Sequence, residues 1–197
     1  MKLKVCGLKN RENILEVLKC KPDYIGFIFY DKSPRYAGGL DADFVQSISS
    51  VKKVGVFVNE TEIKISDYVS RFELDYVQLH GDETPEFCST LQKNVPIIKA
   101  FQINHEFDFS SINAYNDICD YFLFDSKSDQ YGGSGQAFEW EKLNEYKLQK
   151  PFFLSGGVSL ENMGEVRNLN VYCLDVNSQF EISAGVKDIG KLKLINR

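Results

Sequence analysis

The sequence is short of several things, and each shortage removes a class of function. No apolar run approaches the ~20 residues that span a bilayer, since the longest strongly apolar stretch is Tyr24 to Tyr30. The N-terminal MKLKVCG alternates charged and apolar residues without a signal-peptide core, so a cytoplasmic location and no membrane partner are expected. Five cysteines, at 6, 20, 88, 119 and 173, form an odd set without a C-x-x-C pair. That pattern speaks against a disulfide framework and against a structural zinc site. With only two histidines, His80 and His105, no metal centre is expected. Basic charge is also scarce. Lys and Arg number 23 against 28 Asp and Glu, a net charge of −5, so a nucleic-acid partner is not expected. Neither G-x-G-x-x-G nor G-x-x-x-x-G-K-[ST] is present, and no Pro/Ser-rich linker divides the chain. One domain over residues 1–197 is the expectation.

What is there is an ordered repetition. The 197 residues are 43% hydrophobic with 15 Phe and 10 Tyr, enough to bury roughly 70% of the unfolded surface. Short β-branched and aromatic runs recur at Leu3–Cys6, Tyr24–Tyr30, Val54–Val58, Asp75–Leu79, Ile97–Ala100, Tyr121–Phe124, Phe152–Ser155 and Val171–Val176. Most are continuously apolar, as parallel strands covered on both faces should be. Helical signals separate them. Asn10 and Thr84-Pro85 read as helix starts, Ile65, Tyr68, Val69 and Phe72 share one helical face, and Asp41, Ser159 and Asp188 read as further caps. Weaker helical signals lie near Phe109–Tyr115 and Phe138–Leu143. Eight strand–helix units of roughly 25 residues predict an α/β fold, a single (β/α)8 TIM barrel near minimal size.

Such barrels carry their chemistry on the loops that follow the strands. Gly156-Gly157 after the seventh strand and Asn177-Ser178 after the eighth offer backbone and side-chain donors for a phosphate, with Ser159 starting a helix behind the first pair. Gly133 and Gly135 make a third glycine-rich donor loop. Cys6 ends the first strand, where an inward thiol could face a substrate. Asp125 ends the apolar run Tyr-Phe-Leu-Phe, which would partly desolvate its carboxyl, a condition that suits a general acid. Arg35, between Pro34 and Tyr36, presents a fork for a carboxylate. His80 lies on the same face and reads as lining the site. Turn glycines, a packed thiol, a loop aspartate and a solvated arginine are the plainer readings of these same residues.

The combination nevertheless resembles the phosphoribosylanthranilate isomerase family. K-V-C-G at 4–7, G-F-I-F-Y-D-K-S-P-R-Y at 26–36, V-F-V-N at 56–59 and V-Q-L-H-G-D-E at 77–83 carry the likeness. So do F-D-S at 124–126, G-G-S-G-Q-A-F-E-W at 132–140, L-S-G-G-V at 154–158 and D-V-N-S at 175–178. The resemblance implies an Amadori rearrangement of N-(5-phosphoribosyl)anthranilate to 1-(2-carboxyphenylamino)-1-deoxyribulose 5-phosphate, the third step of tryptophan biosynthesis from chorismate, without a cofactor. It implies Cys6 as general base and Asp125 as general acid, and Arg35, Asp175 and His80 around the anthranilate. Gly133, Gly135, Gly156, Gly157, Asn177 and Ser178 would surround the phosphate of a small phosphosugar substrate. The family's usual Ser-Ser-Gly-Val-Glu is replaced by Asn177-Ser178-Gln179-Phe180-Glu181, so an altered phosphate grip is expected. Cys6 stands where the related histidine-pathway isomerase uses an aspartate. Monomer and homodimer both remain open.

Overall fold

In a computed structural model, residues 1–126 and 140–195 are described. The apolar runs form eight parallel strands: β1 (Lys2–Val5), β2 (Tyr24–Ile28), β3 (Lys52–Phe57), β4 (Tyr76–Leu79), β5 (Ile97–Ile103), β6 (Tyr121–Ser126), β7 (Phe152–Ser155) and β8 (Cys173–Val176). They pair in sequence order, and β8 returns beside β1 with Asp175 opposite Lys4, which closes the barrel. Its order is that of the sequence reading, with ends that differ by a few residues. Phe29 and Tyr30 leave the sheet, whereas β6 runs on to Ser126, so Asp125 belongs to the strand and pairs with Ser155.

The side chains alternate between two environments. One set points outward and packs against the helices: Leu3, Val5, Ile25, Phe27, Phe57, Val77, Leu79, Phe122, Phe124 and Leu174. The other set, Tyr24, Val54, Ile98, Leu123, Phe153 and Cys173, fills the barrel interior. Tyr76, Tyr121 and Tyr172 pack against the interior set; Tyr172 bonds to Tyr24 and Tyr121 through hydroxyls at 3.0 and 3.2 Å. Aromatic packing therefore seals the N-terminal end of the barrel and leaves the polar residues at the other end.

Capping is local and follows the sequence. Asn10 accepts from the Asn13 N–H (2.8 Å) at the start of α1 (Arg11–Lys19), and Asp41 caps α2 (Ala42–Gln46). Thr61 caps α3 (Glu62–Phe72), Thr84 caps α4 (Pro85–Gln92) with proline in the first turn, and Asp188 caps the last helix (Ile189–Lys193). Ile65, Tyr68 and Phe72 are the buried face of α3.

Three segments differ from expectation. Ser159 does not cap a helix: the one after β7, α5 (Met163–Val166), begins at Met163 with Asn162 at its N-cap position. The reason is a side-chain brace, because the Asn162 amide accepts from the Ser159 N–H (2.9 Å) and donates to the Gly157 carbonyl (2.8 Å). That brace holds residues 157–162 as a loop. Phe109–Tyr115 is a 3-10 helix capped by Asp108. In the other weak segment, Phe138 and residue 139 lie outside the described residues, Trp140 and Glu141 are helical, and Lys142–Glu145 is a 3-10 turn. The sequence reading also missed a short antiparallel hairpin after β8, β9 (Glu181–Ser183) with β10 (Val186–Lys187), before the last helix, α6 (Ile189–Lys193). Among the described residues no helix is long and apolar enough to cross a membrane.

Candidate active site

Strand periodicity places the first candidate pair. Lys4 and Cys6 are two residues apart on one strand, so both side chains take the same side of β1, and Lys4 reaches across the barrel interior. Its ammonium, wholly buried, donates to Gln78 Oε1 of β4 (2.6 Å) and to Asp175 Oδ2 of β8 (2.8 Å). Cys6 extends the ladder, its N–H bonded to the Val176 carbonyl at 2.9 Å. The thiol is inward: a Cβ added to Gly26 would lie 2.7 Å from the Cys6 sulfur. Gly26 makes the room for the thiol. Gly7, at φ +78°, instead lets Arg35 and Asn177 approach, since a side chain there would meet Asn177 Oδ1 at 2.7 Å and Arg35 Cδ at 2.8 Å.

Burial pushes the Cys6 thiol above its ordinary range, against the opposing pull of the Lys4 and Lys187 charges. Asp175 is likewise pushed up by burial, with Lys4 pulling the other way. Its Oδ1 is buried and has no hydrogen-bond partner among the described residues. Burial works to lower the Lys4 ammonium's proton affinity, yet Asp175 and Cys6 outweigh it and leave Lys4 above its ordinary value. Lys4 is therefore a fixed positive charge beneath the mouth.

The second candidate group hangs on the same network. Gln78 Nε2 stands 2.7 Å from His80 Nδ1, and His80 Nε2 stands 3.1 Å from Asp125 Oδ2. His80 and Asp125 keep 23% and 26% of their side-chain surface in contact with solvent, so the chain from Lys4 ends at an accessible carboxylate. His80, read from sequence as a site-lining residue, is thus bonded to Asp125.

Arg35 is paired already. Its Nε and Nη2 grip the Glu181 carboxylate at 2.7–3.0 Å, and this pairing outweighs burial in raising the guanidinium above its ordinary value. Glu181 also accepts from the buried Lys187 ammonium (2.7 Å), whose second bond goes to Asn177 Oδ1 (2.8 Å). Burial would raise Glu181, but Arg35 and Lys187 hold it below the ordinary carboxylate range. The hairpin β9–β10 carries Glu181 to Arg35 and Lys187 to Asn177. Without a glycine at 179 the loop still turns: Ser178–Phe180 is one 3-10 turn, the Phe180 N–H bonds to the Asn177 carbonyl, and Phe180 is buried.

Of the proposed phosphate residues, Gly156 and Gly157 both adopt left-handed backbone (φ +75° and +65°), which glycine alone accommodates cheaply. Asn177 is half-buried and Ser178 is exposed on the neighbouring loop. Gly133 and Gly135 lie outside the described residues. The helix behind Gly157 is only four residues long, too short to present the aligned N-terminus that Ser159 suggested.

Sequence reasoning missed Lys4, Gln78, Glu181 and Lys187. The signal for the first two was parity: each lies two residues before an inward-facing group, Cys6 or His80, on the same strand.

A family model described as N-(5'phosphoribosyl)anthranilate (PRA) isomerase matches residues 3–197. The N-(5'-phosphoribosyl)anthranilate isomerase of Parabacteroides distasonis is 46% identical, over 98% of this chain and 90% of its own. The crystal structure of phosphoribosyl anthranilate isomerase from Thermotoga maritima superposes with a TM-score of 0.84 at 33% identity, covering 98% of this chain and 96% of its own. A phosphoribosyl anthranilate isomerase in complex with reduced 1-(o-carboxyphenylamino)-1-deoxyribulose 5-phosphate superposes at 0.80 with 30% identity, over 98% and 95%. With the match running almost end to end, the chain belongs to the N-(5'-phosphoribosyl)anthranilate isomerase family and is an isomerase.

Proposed function

We propose that this protein converts N-(5-phosphoribosyl)anthranilate into 1-(2-carboxyphenylamino)-1-deoxyribulose 5-phosphate, the third step of tryptophan biosynthesis from chorismate, with Asp125 as general acid and Cys6 as general base. Protonation of the furanose ring oxygen by Asp125 opens the ring to a Schiff base. Cys6 as thiolate then takes the proton from the sugar's C2, and the resulting enolamine tautomerises to the ketose. Residues 1–197 act as a single catalytic domain.

The observation that carries it is the buried ammonium of Lys4, which shares the inward side of β1 with Cys6 and, through Gln78 and His80, is connected to Asp125. That link between the two candidate groups, in a chain of the isomerase family, supports the reading. Arg35 can still hold the anthranilate carboxylate. Glu181 occupies the Nε–Nη2 edge, and the remaining N–H groups on Nη1 and Nη2 form a second fork. The buried, unpartnered Asp175 Oδ1 suits the anthranilate N–H. Gly156, Gly157, Asn177 and Ser178 would take the phosphate, with Gly133 and Gly135 added from the loop after β6.

Phosphoribosylanthranilate made in situ loses its anthranilate fluorescence as it is consumed. The purified protein should accelerate that decay and yield the aminodeoxyribulose phosphate. Binding of the substrate without turnover would overturn the reading and leave a sugar-phosphate-binding protein.

A further inference from the structure

We propose that Lys4 and Gln78 are positioning residues that fix the tautomer of His80, so that its Nε2–H donates to Asp125 Oδ2 and confines the acid's own proton to Oδ1. This rests on the assignment of Asp125 as the acid.

The direction of every hydrogen bond in the chain follows from one end. An ammonium only donates, so the Gln78 atom 2.6 Å from Lys4 Nζ is its carbonyl oxygen. The Gln78 amide nitrogen therefore faces His80 Nδ1 at 2.7 Å, and an NH2 group also only donates. Nδ1 must accept with its lone pair, which leaves the ring proton on Nε2, 3.1 Å from Asp125 Oδ2. The tautomer, ordinarily free to choose, is set by a charge two side chains away.

The amide cannot flip to reverse this order. A flipped Gln78 would turn its NH2 toward Lys4, two donors facing each other around a wholly buried ammonium. Gln78 itself is buried, so water does not rescue the flipped form.

The consequence is chemical. With Oδ2 already accepting, the proton Asp125 gives to the ring oxygen sits on Oδ1. Once it is given, the Nε2–H bond to the new carboxylate becomes charge-assisted and strengthens. That bond is worth more after proton transfer than before, which is the kind of interaction that raises kcat rather than lowering KM.

In 15N-labelled protein the two imidazoles can be told apart by His105→Gln, which removes the exposed one. Long-range 1H–15N correlation on the free protein should show His80 with a protonated Nε2 and a bare Nδ1. Gln78→Glu replaces the donor with an acceptor and should move a proton onto Nδ1, lowering kcat about 10- to 100-fold with KM within about threefold. Gln78→Met, which merely unlinks His80 from Lys4, should give a mixture of the two tautomers and a smaller loss of kcat. A bare Nε2 on His80 in the unmodified protein would overturn the proposal, without requiring any variant to fold. So would Gln78→Glu or Gln78→Met leaving the His80 pattern or kcat unchanged. Full turnover by Asp125→Asn would instead remove the acid assignment, an outcome the imidazole spectrum does not share.

Discussion

At the scale of single residues, the unusual object is Lys4, a fully buried lysine in a strand that otherwise packs like its neighbours. Breaking a buried pair costs more than the pair is worth, because the remaining charge is left without compensation. Lys4→Met should therefore destabilise the fold by about 3–5 kcal/mol in urea unfolding, and Lys4→Met with Asp175→Asn by less than the sum of the two single changes. Additive losses would mean that the two charges do not depend on each other. The thiol leads to a second expectation. Burial raises the Cys6 proton affinity above the ordinary thiol's, so the free protein holds it protonated at neutral pH. A base that must first lose a proton makes kcat/KM climb with pH, roughly tenfold per unit, toward and beyond the ordinary thiol range. A pH–rate profile of kcat/KM that levels off below that range would contradict the assignment of Cys6. Parity is what made these residues hard to read. Cys6 and His80 stand out as reactive types at strand ends, whereas Lys4 and Gln78 look like surface residues until the strand's inward face is known.

At the scale of elements, the strands and most helix starts were legible because each has its own local cause. Continuous apolar runs mark strands covered on both sides, and Asn10, Asp41, Thr84 and Asp188 each cap by a bond within three residues. The failures share a different cause, interactions that skip along the chain. Ser159 has the composition of a cap, but Asn162 reaches back to the Gly157 carbonyl and claims the Ser159 N–H for a loop. The β9–β10 hairpin is too short to show a pattern of its own; it is held by contacts of Glu181 with Arg35 and of the Lys187 backbone with Asn13, 146 and 174 residues away. The loop brace has a measurable role if Gly156 and Gly157 grip phosphate. Asn162→Ala should release the Gly157 peptide and raise KM by several-fold to about tenfold while kcat changes much less. A loss confined to kcat would place the loop in the chemistry instead.

For the whole molecule, closure of β8 against β1 is what turns eight similar units into one site. It brings Asp175 beside Lys4, 171 positions apart in the chain, inside the barrel. The barrel was readable from the count of units, since eight strands separated by roughly equal lengths suit few other parallel architectures. The wiring inside was not, because it depends on register between strands that no local pattern encodes. The central claim is that Cys6 and Asp125 divide the proton transfers between them. Its most direct measurement is single-turnover decay of anthranilate fluorescence in Cys6→Ser and Asp125→Asn, with substrate binding measured on the same samples. Each variant should lose about 10²–10⁴ in the chemical rate while binding the phosphosugar nearly as before; either one turning over at the unmodified rate would contradict the account.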